Sequence, residues 1–428
     1  MAKKPTRPLR WVRLDNAAKI YPAARRRNWS NVFRQSVTLF ENVDTDVLKS
    51  ALDITVKRFP SIAARLRKGV FWYYLQQLQH APKIMEESCC PLVPMGRQEI
   101  RQCALRVIVY DRRIAVEFFH SLTDGNGALV FLKTLLAEYI LQKYGVHTPA
   151  GCGVLGRLEE PSPQELEDSF LKYAGPVNAS RKEHDSWQLY GTPSPEHFKT
   201  LTCFTLPVED VIKKAKAQGV TLTVFLASAI MMALQNVQAE VIPNRRLRKH
   251  IRLLIPVNLR KLFPSKTLRN FAMYTTPEID PRLGDYSFSD ICNAVRHRMG
   301  LEITPQHMST KIAVNVSSER LMAVRVIPLF LKNIIMKAIF DAVGERKSCL
   351  SMSNLGAVQL PEAMLPYVER FDFILGVQAT SPYNCGVLSF KDKLYINFIR
   401  DVQEPTLETH FYRVLRELGL QPEVQSNL

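Results

Sequence analysis

Between an apolar run and a leucine-rich segment stands His120-Ser121-Leu122-Thr123-Asp124-Gly125, an imidazole four positions ahead of a carboxylate and then a glycine. An uncharged imidazole, with a pKa of about 6.5, takes a proton from an alcohol or amine at neutral pH, which is general-base work. Asp124 is placed to order the loop that aims the ring. Gly125 and Gly127 carry no side chain to hold the backbone away from a ligand. A plainer reading stands beside this one. An aspartate before a helix is an ordinary N-cap, and a histidine that ends a strand is often only well packed.

Two elements must hold these residues. Residues 114–119, Ile-Ala-Val-Glu-Phe-Phe, read as a buried strand that delivers His120 at its end. Residues 127–144 read as a helix, with Leu129, Leu132, Leu135, Leu136 and Tyr139 at helical spacing. Upstream, the pattern predicts a strand over 31–40 and a helix over 44–59 capped at Asp44 or Thr45. It also predicts a hairpin of 61–67 with 70–78 about Lys68-Gly69, and a second hairpin of 104–110 with 114–119. From 149 to 195 prolines and polar residues replace the apolar periodicity, as in a crossover between domains. Beyond it strands are expected at 201–206, 251–257, 348–353, 371–379, 386–390 and 394–399. Helices are expected at 208–217, 223–237, 288–301, 319–342 (kinked at Pro328) and 406–418. The chain thus reads as two α/β halves of mixed strand order.

The six residues from His120 to Gly125, with Phe118-Phe119 before and the apolar helix after, resemble the His-x-x-x-Asp-Gly motif of the CoA-dependent acyltransferase superfamily. That group includes chloramphenicol acetyltransferase, plant BAHD acyltransferases, peptide-synthetase condensation domains and alcohol acetyltransferases. Pro256-Val257-Asn258-Leu259-Arg260, trailed by Asn270-Phe271, is similar to its Pro-x-Asn-x-Arg strand. Ser353-Asn354-Leu355-Gly356, followed by Leu360-Pro361, resembles the Ser-Asn-Leu-Gly strand of alcohol acetyltransferase-like proteins, and Leu14-Asp15 with Tyr21-Pro22 resembles their opening. Condensation domains usually carry two adjacent histidines, and here the first position is Phe119. The late Asp-Phe-Gly-Trp-Gly of BAHD enzymes is missing too, so the alcohol acetyltransferase branch fits best.

The resemblance implies an α/β fold of two chloramphenicol acetyltransferase-like lobes forming a pseudo-dimer about a central tunnel. The expected division is 1–150 for the first lobe, 151–195 for the crossover and 196–428 for the second lobe. It implies His120 as the general base and no covalent acyl-enzyme. Asp124 would pair with Arg260 to hold the loop, with Gly125 supporting the site. Ser353 or Asn354, or a backbone N–H near Gly125, would donate to the oxyanion. The donor would be an acyl-CoA, acetyl-CoA above all, used as co-substrate with no bound cofactor. The acceptor would be a small alcohol or amine. An acyl carrier protein as donor, giving an amide or ester, is the alternative, and a non-catalytic or lipid-associated binding protein is the second.

Composition agrees with a folded protein of 428 residues, 46% hydrophobic and 23% charged. A net charge of +17 favours an anionic partner. Basic and aromatic residues are not interleaved on a recognisable module, which argues against nucleic acid. The densest basic cluster is Arg245, Arg246, Arg248, Lys249, His250 and Arg252, either a seat for CoA phosphates or, more often in such runs, a solvated edge. Arg25-Arg26-Arg27, near Trp29, has the same two readings. Eight scattered cysteines, with only Cys89-Cys90 adjacent, suggest neither zinc nor a disulfide framework. Without a secretory h-region at the start, a cytoplasmic location is expected. The apolar segment 321–343 is interrupted by charges and reads as a core helix, with an interfacial helix serving a lipidic acceptor as the minority account.

Overall fold

The computed structural model describes residues 10–26, 29, 31–88, 90–176, 185–320, 326–343, 347–378 and 381–428. Arg27, Cys89, His184 and positions 321–325 of the expected long helix lie outside the described residues. In chain order the strands are β1 (Trp11–Arg13), β2 (Val32–Leu39), β3 (Ala64–Lys68), β4 (Tyr73–Gln77), β5 (Ile84–Glu86), β6 (Leu105–Tyr110), β7 (Arg113–Phe119) and β8 (Thr200–Pro207). They continue with β9 (Ile251–Asn258), β10 (Ala272–Thr275), β11 (Glu278–Ile279), β12 (Leu350–Val358), β13 (Val368–Ile374), β14 (Tyr383–Phe390), β15 (Lys393–Arg400) and β16 (Glu423–Ser426).

The strand that ends at His120 is central in a sheet of order β13-β2-β7-β6-β5. Both faces of β7 are buried. On one face Phe118 meets Phe131 of the helix Gly125–Tyr144, edge to face at 5.8 Å, and that helix packs beside the helix Thr45–Arg58. On the other face Glu117 would be an isolated buried charge. Cross-strand Arg34 and Arg106 reach it at 3.1 and 3.0 Å, so the strand carries its carboxylate fully paired.

A second sheet has the order β10-β9-β12-β14-β15-β8-β16, with β11 also on β9. β12 runs parallel to β9 and β14, whereas β15 is antiparallel to both β14 and β8. The architecture is therefore mixed α/β. A small sheet, β1-β4-β3, completes the set. The helix Leu222–Val241 is apolar on every side and long enough to cross a membrane, yet most of it is buried here among strands β8, β14 and β15 and the helix Thr406–Glu417.

Although β13 comes late in the chain, it pairs antiparallel with β2, from Val368 opposite Leu39 to Ile374 opposite Arg34. It also lies against β14. A Cβ on Gly386 would stand 2.3 Å from the Phe373 carbonyl oxygen, so only glycine permits this approach.

Three expectations need correction. The first hairpin is shorter than predicted, because Gly69 to Trp72 form the turn and the Gly69 N–H donates to the Trp72 carbonyl. At Pro328 the chain is broken rather than kinked. The residue lies outside any helix and a new one, Leu329–Val343, starts after it, since proline has no N–H to continue a helical ladder. The helix Pro305–Arg320 was not foreseen at all. Its Met308, Ile312 and Val316 are buried with Phe170, Leu259, Phe271 and Met273 in a small core of their own.

Candidate active site

Asp124 is the N-cap of the helix Gly125–Tyr144. One carboxylate oxygen accepts from the N–H groups of Asn126 (3.2 Å) and Gly127 (3.1 Å), two of the donors that a helix start leaves unpaired. The other accepts from Arg260 Nη1 and from the Phe271 N–H, both at 2.8 Å. Arg260 in turn donates to the Thr267 and Arg269 carbonyls at 2.9 and 2.5 Å. One carboxylate thus ties the loop after β7 to the segment between β9 and β10. Phe271 is itself locked into the small core, 5.4 Å from Phe170.

The two glycines admit protein, not ligand. A Cβ on Gly127 would lie 2.2 Å from both the Leu268 carbonyl oxygen and Thr123 Oγ1. One on Gly125 would lie 2.7 Å from a Leu355 methyl. The Gly125 carbonyl accepts from Gln35 Nε2 at 2.7 Å. The Gly125 N–H, first in the helix, has no acceptor within it and points out of the helix start.

His120 is half-buried, its ring flanked by Tyr21 and Phe33 at centroid distances of 4.8 and 5.0 Å. Nδ1 lies 3.0 Å from Asn270 Oδ1. The Asn270 amide nitrogen donates to the His120 carbonyl (3.0 Å) and to an Asp15 carboxylate oxygen (3.3 Å), so its oxygen must be the atom that faces the ring. A carbonyl oxygen can only accept. Nδ1 therefore carries the hydrogen, and the lone pair of the neutral ring sits on Nε2. Burial, the largest influence, draws His120 below the ordinary histidine value, against the opposing pull of its own backbone, Asp124, Asn270 and Asp15.

Asp15 is fully buried. It accepts from the Ala18 N–H at 2.8 Å and stands 3.7 Å from Arg269. Burial raises its pKa despite Arg269 and these hydrogen bonds. Tyr21 is shifted upward as well, by burial and then by Asp15 and Asp124, so its phenol stays neutral. The functional parts of Asp15, Tyr21 and Asn270 were not assigned from sequence. The signal was present only as the Leu14-Asp15, Tyr21-Pro22 and Asn270-Phe271 pairs.

Ser353 and Asn354 lie on β12. Asn354 is occupied on both amide atoms, donating to Thr223 Oγ1 (3.1 Å) and accepting from the Gly356 N–H (2.8 Å). Ser353 stands on the strand face opposite Asn354, and beyond Asn354 the register of β12 shifts before Ala357. The basic run 245–252 is largely neutralised in place. Arg245 and Arg248 both donate to Asp285 at 2.8 Å, Arg252 pairs with Glu278, and His250 stands 3.7 Å from Glu278. Among the described residues no group of three or more His, Cys, Asp or Glu could hold a metal ion.

No family model matches the sequence, and no curated protein does. Solved structures do. Polyketide synthase associated protein 5 from Mycobacterium tuberculosis is 13% identical at a TM-score of 0.58, over 95% of this chain and 97% of that one. The first condensation domain of the CDA synthetase is 11% identical at 0.60, over 96% of each chain. TRI101 of F. sporotrichioides, solved with coenzyme A and T-2, is 10% identical at 0.64, over 98% of this chain and all of that one. The fold is the one shared by CoA-dependent acyltransferases and peptide-synthetase condensation domains. At these identities the likeness speaks for the fold alone.

Proposed function

We propose that the chain is an acyltransferase that moves a short acyl group, acetyl above all, from a CoA thioester to a small alcohol. His120 is its general base. The observation that carries this reading is the Asn270 amide, whose orientation leaves Nε2 of a neutral, half-buried imidazole as the free base. Nε2 takes the hydroxyl proton while the oxygen bonds to the thioester carbonyl carbon. The tetrahedral oxyanion collapses, the C–S bond breaks, and the proton passes from His120 to the leaving thiolate, so no acyl-enzyme forms. The Gly125 N–H and Ser353 are the proposed donors to the oxyanion. Asp124 and Arg260 hold the loop and take no proton. The proposal includes two lobes, 1–150 and 196–428, joined by 151–195, with His120 midway along a tunnel between them.

The test is release of free CoA thiol from acetyl-CoA with a panel of alcohols and amines. His120→Ala should lower kcat by about 10²–10⁴-fold, the usual worth of a general base. A wild type that never exceeds this variant with any donor and acceptor would refute the enzyme reading.

A further inference from the structure

Over residues 329–335 the helix Leu329–Val343 is packed on one side and open on the other. Leu329 and Lys332 are buried, and the Lys332 ammonium donates to the Phe71 carbonyl and lies over the Trp72 ring at 3.5 Å. The opposite side is apolar and open to solvent. Phe330 is 59% exposed and Ile334 65%, at i and i+4, with Leu331 and Ile335 exposed beside them. The turn between β3 and β4 extends the patch with Val70, 72% exposed, and Phe71. The Leu329 N–H donates to the Val70 carbonyl, which fixes turn and helix together. A contiguous apolar face of this kind marks an interaction site.

What borders the patch selects its partner. A cleft of about 310 Å³ opens beside it, sharing Asn333, Ile334 and Lys337 with the helix. Its wall carries Arg25, Lys68, Arg97 and Arg101, and among the described residues that line it there is no carboxylate. The contrast with the 245–252 run, where Asp285 and Glu278 neutralise the arginines, is direct. Crowding is visible in Arg25, whose proton affinity is lowered first by burial and then by Arg97. Such a group of cations gains from an anion that supplies several oxygens at once.

We infer that this face docks on an anionic phospholipid surface, with the apolar side chains of Phe330, Ile334, Val70 and Phe71 in the interface and a lipid phosphate in the basic cleft. Apolar residues flanked by cations are what an interfacial element needs, since hydrophobic insertion and attraction to acidic headgroups reinforce each other. Phe119, which ends β7 directly before His120, and Pro22, which follows Tyr21, line the same cleft, so a docked bilayer would lie next to the candidate site. Docking itself does not rest on the acyl-transfer reading.

Co-sedimentation of the full chain with vesicles tests the inference without any turnover. One set is phosphatidylcholine and the other is phosphatidylcholine with an equal amount of phosphatidylglycerol. The expected result is binding to the mixed vesicles only, weakened by salt. Phe330→Ser/Ile334→Ser and Arg97→Glu/Arg101→Glu should each reduce partitioning roughly tenfold or more, since each removes inserted area or two headgroup attractions. All four residues are exposed, so melting curves should match wild type. No binding to mixed vesicles at low ionic strength would overturn the inference, as would binding that both variants retain. Capture of an acidic acyl carrier protein, lost in the same variants while vesicles are ignored, would transfer the face to that partner and overturn the membrane assignment. The CoA-release assay is read separately, so failure of one reading is distinguishable from failure of the other.

Discussion

Two buried aspartates flank one imidazole, and they are held in opposite ways. Asp124 receives four hydrogen bonds, from two helix-start N–H groups, the Phe271 N–H and the Arg260 guanidinium. Asp15 has three, from the Ala18 N–H and from the side chain and backbone of Asn270, with Arg269 at 3.7 Å, and burial disfavours its charge. The first is a clamp between chain segments more than a hundred residues apart. The second reaches the ring through Asn270. The motif residue therefore does architecture while also acting on the base through its charge, and a carboxylate outside the motif reaches the same ring. Proximity to a histidine does not define a carboxylate's role; its partners do.

The largest effect that would break this comparison is on stability. Asp124→Ala strands Arg260, little exposed, and uncaps the helix, so a loss of about 3–5 kcal/mol is expected in chemical denaturation. A loss below about 1 kcal/mol, the scale of a single hydrogen bond, would show that the clamp is not structural. Next comes Asn270→Ala, which should leave the fold intact and lower kcat about 10²-fold, the cost of a misdirected reacting group, with KM little changed. Nitrogen NMR of His120 should then show both tautomers where wild type shows only Nδ1–H. Equal spectra would remove Asn270 from the orienting role.

Asp15→Asn should cost only about 1 kcal/mol, because the amide keeps an acceptor for Ala18 and the site already disfavours the anion. If it costs as much as Asp124→Ala, the two carboxylates are alike after all. The smallest effect is on pH dependence. Burial lowers the His120 pKa, so kcat/KM should rise with pH through an inflection below about 6.5 and then level off. Asp15 favours the protonated ring, so Asp15→Asn should move that inflection to lower pH. A shift upward would contradict the assignment.

Much of the fold was legible where the pattern was long and periodic. The helices Thr45–Arg58, Gly125–Tyr144 and Leu222–Val241 and the hairpin of β6 with β7 follow from spacing and caps. The helix Pro305–Arg320 has a faint signature in the sequence: Thr304 caps it, Pro305 starts it, and an apolar residue recurs every fourth position from Met308 to Val316. Its stripe is too narrow to stand out among Ser, Thr, His and Asn. The short strands β5, β10, β11 and β16 left no pattern, since two to four residues need only a neighbour's edge. Helix Leu329–Val343 is as apolar in composition as Leu222–Val241, and only the structure separates them, one with an apolar face open to solvent and one mostly buried.

By itself the sequence determined which residue can act as a base, which loop carries it, and the strand and helix that bracket that loop. Those are local matters of residue type and spacing. Only the tertiary structure decided that Asn270, 150 positions away, fixes the ring's tautomer, that Asp15 stands behind it, and that Gly125 and Gly127 make room for Leu355 and Leu268. Hydrogen-bond direction and close packing are properties of neighbours in space, and residues far apart in the chain become neighbours only when the sheets and the small core around Phe271 bring them together.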